Sequence, residues 1–219
     1  MTRPELVIFD CDGVLVDTET LGNRHLVEML CASGYATTFE AVRRDFCGMP
    51  MRAVKEKVES EGYVLGDDFV DRWYKAIPII FENGVEAIPH IEEVIAAVKQ
   101  AELPYCVASS ANVEKMHITL GKTGLIDHFR DVLYSASMVA RGKPFPDLFL
   151  HAAREMGHEP SRSVVIEDSV AGTRAGTAAG MRVFSYCGDK HADHEGLTAA
   201  GGILFDDMRK LPAMLGLAA

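Results

Sequence analysis
The sequence predicts an α/β fold, a Rossmann-like parallel sheet with helices on both faces and a small α-helical domain inserted after the first strand. Two observations carry that reading. Short runs rich in β-branched and aromatic residues alternate with helical patterns along most of the chain, and strand alternating with helix builds a parallel sheet. That rhythm breaks once, where residues 18–86 are almost wholly helical in pattern, too much chain for one crossover.

Taken in order, Leu6 to Asp10 reads as a strand whose apolar run, Leu6 to Phe9, is of the kind a strand covered on both faces requires, and it stops at Asp10-Cys11-Asp12-Gly13. The helical insert follows and holds the single tryptophan, Trp73. Its two connections fall near Val14 to Asp17 and near Ala87-Ile88-Pro89-His90, so 1–16 with 88–219 is expected to form the core and 17–87 a cap. Two hinges would let such a cap open and close. The core resumes with a helical pattern at Ile91 to Val98, a strand at Tyr105 to Ser109 and a helix at Val113 to Lys122. Strands are then expected at Val132 to Ser135, Ser163 to Glu167 and Arg182 to Tyr186, with Ile203 to Phe205 as a sixth. Helical patterns at Asp147 to Met156 and Val170 to Ala179 separate them.

The 219 residues, 48% hydrophobic and 25% charged, suffice for one sizeable core and a smaller accessory domain. A net charge of -10 argues against a protein that grips nucleic acid or an anionic membrane, since both need a basic face. No apolar run reaches the ~18–20 residues of a membrane span, and Met1-Thr2-Arg3-Pro4 leads straight into a strand, so a cytoplasmic protein is expected, monomeric or weakly self-associating. Five scattered cysteines, Cys11, Cys31, Cys47, Cys106 and Cys187, read as reduced small hydrophobes. Strand alternation points Cys11 away from the acids beside it.

Polar groups of unusual type gather at the carboxyl ends of four strands, the edge where open α/β sheets bind ligands. Asp10 and Asp12 end the first. Two anions that close repel, and a hard oxygen-seeking cation such as Mg2+ is the natural remedy. Ser109-Ser110-Ala111-Asn112 ends the second and opens a helix, offering a hydroxyl and backbone N–H donors to an anion. Arg141-Gly142-Lys143-Pro144 holds a lysine between a glycine and a proline, and Glu167-Asp168-Ser169 ends another strand in two further acids. Sorted by chemistry, these are acids for a metal, a lysine and a hydroxyl for phosphate, and a carboxylate able to attack: a phosphoryl-transfer set.

The strings Asp-x-Asp-Gly-Val-Leu-Val-Asp, Lys-Pro-x-Pro-Asp and Val-Ile-Glu-Asp-Ser-x-x-Gly, with the serine-ended strand between them, resemble the four motifs of the haloacid dehalogenase superfamily. The cap position resembles the helical-cap subgroup that contains β-phosphoglucomutase, phosphoglycolate phosphatase and sugar-phosphate phosphatases. This resemblance implies Asp10 as the nucleophile that forms an aspartyl-phosphate and Asp12 as the acid and base. It also implies Ser109 and Lys143 as phosphoryl ligands, and a metal set for Mg2+ of Asp10, Asp12 through its carbonyl, and Asp168, with Glu167 close by or bridging through water.

Relatives that dehalogenate or cleave phosphonates lack an acid at the position of Asp12, so the resemblance implies a Mg2+-dependent phosphatase for a small phosphorylated metabolite. A mutase is the alternative. β-Phosphoglucomutase has a cap histidine where this chain has Gly22, and a loop arginine where Gly48-Met49-Pro50-Met51-Arg52 has Met51; His25 and Arg52 are the displaced candidates. Substrate contacts are expected from Thr18, Asn23, Met49, Met51, Arg52, Ser110 and Asn112, while Arg43, Arg44 and Lys55 are expected to solvate helix faces. From another class, a non-catalytic binding protein on the same core would lack some of these groups, and all are present. His191-Ala192-Asp193-His194-Glu195 is dense in metal-ligand types, but with no Cys-rich or paired motif it reads as a polar connection.

Overall fold
The structure is a computed structural model, described here for residues 3–46, 49, 51–82 and 84–217. The chain runs β1 (Leu6–Phe9), β2 (Val16–Asp17), α1 (Glu19–Ala32), α2 (Phe39–Phe46), α3 (Met51–Ser60), α4 (Phe69–Glu82), β3 (Glu86–Ala87), α5 (Ile91–Gln100), β4 (Tyr105–Ser109) and α6 (Val113–Lys122). It continues with α7 (Ile126–Phe129), β5 (Leu133–Ser135), α8 (Asp147–Glu155), β6 (Ser163–Glu167), α9 (Val170–Ala178), β7 (Arg182–Tyr186), α10 (His194–Ala199), β8 (Ile203–Phe205) and α11 (Leu211–Met214). It folds as two compact units, residues 1–17 with 86–219, and Thr18–Val85.

The larger unit is a six-stranded, wholly parallel sheet in the order β5-β4-β1-β6-β7-β8. β1 lies where the chain order turns, with β4 and β5 on one side and β6 to β8 on the other, and such a switch point opens a crevice at the carboxyl ends of the strands. Every residue of β1 is buried, which explains its unbroken apolar run. Leu6 and Ile8 pack with Leu148, Phe149, Ala152 and Ala153 of α8 and Ala175 of α9. On the opposite face Phe9 meets Phe129 edge-on at 6.1 Å. β2 and β3 form a two-residue antiparallel ladder, Val16 opposite Ala87 and Asp17 opposite Glu86. Sequence reading misses it because two residues carry no periodicity.

The smaller unit is four helices around Leu26, Met29, Leu30, Val42, Phe46, Met51, Val54, Val58, Leu65 and Phe69. The amphipathic stripes of its helices meet there, so it has a core of its own. Among the described residues no helix is long and apolar enough to cross a membrane.

Candidate active site
Register places the first acids. Phe9 is level with Ile166 of β6, and the Asp10 N–H donates to the Ile166 carbonyl at 2.9 Å, so Asp10 stands beside Glu167 on one face of the sheet. Alternation puts that face on the same side as Leu6 and Ile8, over α8. Cys11 turns to the other face, its Sγ 4.0 Å from Thr119 Oγ1, and burial, aided by the charges of Asp12 and Asp10, pushes its thiol pKa up.

Lys143 precedes α8 and lies above the Phe149 ring, its Nζ 4.9 Å from the centroid. It donates to Asp10 Oδ1 at 2.5 Å and Glu167 Oε1 at 2.7 Å, with only 5% of its side chain exposed. Burial pulls the ammonium pKa down, but the charges of Asp10 and Glu167 outweigh it and hold the group above its ordinary range. Burial also raises Asp10: even with Lys143 beside it, desolvation plus the charges of Glu167 and Asp12 push it up to about 7.

Glu167 accepts four hydrogen bonds. Its Oε2 accepts from Asp168 N at 2.8 Å, Ser169 N at 2.7 Å and Ser169 Oγ at 2.9 Å, while Oε1 takes Lys143. It therefore joins the lysine to the first turn of α9, where Ser169 caps Gly172 N at 3.0 Å. These contacts tie Glu167, expected beside the metal, to Lys143 and to the start of α9. Asp168, next in line, overhangs Gly13. A Cβ at Gly13, whose φ is +82°, would stand 2.0 Å from Asp168 Oδ2, so only glycine lets the first turn and the last acid approach.

Asp12 lies past the strand, and its Oδ2 accepts from Lys115 Nζ at 2.9 Å. Four carboxylates, Asp10, Asp12, Glu167 and Asp168, thus sit at one sheet edge with two ammonium groups, Lys143 and Lys115. With every acid ionised, these six groups carry a formal excess of two negative charges, which suits one divalent cation. Among the described residues no three His, Cys, Asp or Glu side chains converge tightly enough to hold an ion unaided. Magnesium does not need them, since it is commonly held by one or two carboxylates with waters and substrate phosphate completing the shell. The donor set fits that ion.

Ser109 ends β4 buried, with its Oγ accepting from Ala111 N at 3.1 Å, and Ser110 beside it is exposed. Asn112 caps α6: its Oδ1 accepts from Lys115 N at 2.7 Å. The cap uses the oxygen, so the expected contact with substrate falls to the amide N–H donors of Asn112. In the helical unit, Met51 is 7% exposed inside the hydrophobic cluster and Met49 packs against it, which corrects Met51 as a substrate contact: methionine fills the core there. Thr18 is buried and its carbonyl accepts from Gly22 N, Asn23 is half-buried, and Arg52 is exposed on α3. Gly48 and Pro50 of the expected specificity loop, and Cys47 before it, lie outside the described residues.

Gly22 faces the Trp73 indole, with a Cβ there at ordinary contact distance, 3.5 Å from Cη2. His25 stacks on the same indole at 5.8 Å and reaches Glu28. Asp193 caps α10 by accepting from Gly196 N at 2.8 Å. Two cations escape the sequence reading. Lys115 is detectable as a lysine in the first turn of a helix, where the macrodipole disfavours it. Arg43, expected at the surface, is 7% exposed, 3.8 Å from Glu19 and stacked over Phe39, and nothing in its spacing announces that.

Comparison with known proteins agrees with this geometry. The profile of the family Haloacid dehalogenase-like hydrolase matches residues 7–186. The chain is similar to 6-phosphogluconate phosphatase of Escherichia coli, 35% identical over 193 residues that cover 87% of this chain and 86% of that one. Among solved structures it resembles a conserved haloacid dehalogenase-like protein of unknown function from Agrobacterium tumefaciens, with a TM-score of 0.88, 35% identity and 97% coverage of both chains. A HAD family hydrolase from Deinococcus radiodurans with bound phosphate and sodium gives a TM-score of 0.88 at 29% identity, covering 99% of this chain and 96% of that one. The sheet order, the motif-bearing strand ends and the match along most of the chain together make this protein a member of the haloacid dehalogenase-like hydrolases.

Proposed function
We propose that the protein is a Mg2+-dependent phosphatase that hydrolyses a small phosphate monoester of the sugar or sugar-acid class through an aspartyl-phosphate on Asp10. The observation that carries this reading is the buried Asp10–Lys143–Glu167 arrangement with Asp12 two residues along the same turn. Similarity to 6-phosphogluconate phosphatase supports the substrate class.

Asp10 attacks phosphorus, forming a P–O bond as the bond to the leaving alkoxide breaks, and Asp12 gives its proton to that alkoxide. Asp12, now a base, takes a proton from water, whose oxygen attacks the phosphorus and releases Asp10. Such help from a placed acid and base is typically worth ~10²–10⁴-fold. Lys143 neutralises charge on the phosphoryl oxygens and Ser109 binds them, while Glu167 fixes the lysine in position. Asp10, Asp168 and the Asp12 carbonyl would hold Mg2+, which offsets the repulsion between a dianionic ester and these carboxylates. To the helical unit we assign the choice of substrate. The mutase reading is not favoured, because Gly22 stands where the mutase has its cap histidine.

The test is phosphate release from a panel of sugar phosphates, 6-phosphogluconate and phosphoglycolate, with Mg2+ and with chelator. Release that needs Mg2+ and prefers one ester is expected. Isomerisation without release would replace this reading with the mutase.

A further inference from the structure
We propose that Lys115 is the positioning residue for the proton donor, holding the Asp12 carboxyl group by one oxygen so that the other, which carries the proton, faces the leaving alkoxide. The inference rests on the acid–base role given to Asp12 above. Lys115 is 103 residues from Asp12 in sequence, and its Nζ lies 2.9 Å from Asp12 Oδ2. The local structure is built to deliver it there. Asn112 caps α6 by accepting from the Lys115 N–H itself, which fixes the start of the helix and the position of Lys115 in its first turn. Helical side chains lean toward the N-terminus, and for this helix that end is the sheet edge where Asp12 lies.

Stability does not account for the placement. A lysine in the first turn opposes the helix macrodipole, and the exposed acids that favour that end are reduced here to Glu114. The pair is part-buried, with 30% of the Lys115 side chain and 25% of the Asp12 side chain exposed, so the contact is sheltered enough to orient the carboxyl group. Lys143 already compensates Asp10 and Glu167 on the other face of the turn, so Lys115 serves a different acid. A carboxylate gripped by one oxygen presents the other in a set direction, and a proton donor needs that orientation within a hydrogen bond of the leaving group.

The experiment compares kcat/KM for an alkyl ester, 6-phosphogluconate, with that for p-nitrophenyl phosphate in wild type, Lys115→Met, Lys115→Arg and Asp12→Asn, with thermal melts to confirm folding. p-Nitrophenolate leaves without a proton, and kcat/KM reports only steps through its departure. Loss of a well-placed acid should therefore cost the alkyl ester alone. Lys115→Met is expected to lower kcat/KM about tenfold or more on the alkyl ester and less than about threefold on p-nitrophenyl phosphate, with Lys115→Arg recovering most of the loss. Equal losses on both esters, or none, alongside a leaving-group-dependent loss in Asp12→Asn would overturn the role of Lys115. If Asp12→Asn itself shows no leaving-group dependence, the acid role of Asp12 is wrong and this inference falls with it.

Discussion

Gly172→Ala separates local propensity from the packing of the site. Gly172 lies inside α9, and alanine there should by helix preference alone add up to ~1 kcal/mol of stability. The structure gives the opposite sign. A Cβ at Gly172 would stand 1.6 Å from Glu167 Oε1 and 2.0 Å from its Cδ. Glu167 is 1% exposed and held by Lys143, two backbone N–H groups and the Ser169 hydroxyl, so its carboxylate cannot swing aside without losing them. Breaking a buried ion pair on one side costs about 3–5 kcal/mol, and subtracting the helix gain leaves a loss of about 2–4 kcal/mol. At roughly 2–4 °C per kcal/mol for a chain of this size, Tm should fall by roughly 4–16 °C. Gly121→Ala is the control, since nothing lies within 4 Å of its Cβ position in α6, and it should raise Tm slightly. Thermal melts followed by circular dichroism read both variants. A Gly172→Ala protein as stable as Gly121→Ala would refute the claim that Glu167 is locked in place.

Other consequences follow from the same geometry. Glu167→Gln keeps the shape of the clamp but removes one of the two anions facing Lys143, and phosphate release should fall about tenfold or more with the fold retained. At Gly22 an alanine meets Trp73 at ordinary contact distance and should be tolerated. Gly22→His puts an imidazole on a buried position beside the indole, so it should lower Tm and confer no isomerase activity, which a coupled sugar-phosphate assay would detect. Alkylation with iodoacetamide at pH 8, mapped by mass spectrometry, should mark Cys31, which is exposed, well before Cys11 and Cys106. Burial raises the pKa of both inner thiols, so little thiolate exists at that pH; fast labelling of Cys11 would contradict the placement given to it.

How far the sequence reveals all this depends on the kind of signal. The inner strands are legible because they are largely buried runs rich in branched and aromatic residues, while the edge strand β8, with Ile203 exposed, is legible from residue type alone. The ladder of Val16–Asp17 with Glu86–Ala87 is not, since its pairing is decided by chain closure around an insert rather than by residue type. At the site, Asp10, Asp12, Lys143 and Asp168 announce themselves by residue types that are costly at strand ends. Their jobs are less legible. Nothing in the sequence shows that Glu167 holds Lys143 and the first turn of α9, or that the Asn112 oxygen caps α6. Met51 and Arg43 exchange places, the one expected at substrate lying in the core and the one expected in solvent lying buried, because a helical stripe alone does not say which flank faces inward. Lys115 meets Asp12 only through tertiary structure.

The central claim, that Asp10 takes the phosphoryl group, is tested most directly by acid-quenching the enzyme during turnover of its best ester and mapping the phosphorylated peptide by mass spectrometry. The account predicts a phosphoryl adduct on the peptide carrying Asp10, absent together with turnover in Asp10→Asn. Near-normal phosphate release by Asp10→Asn, with no adduct on that peptide in the wild type, would contradict it.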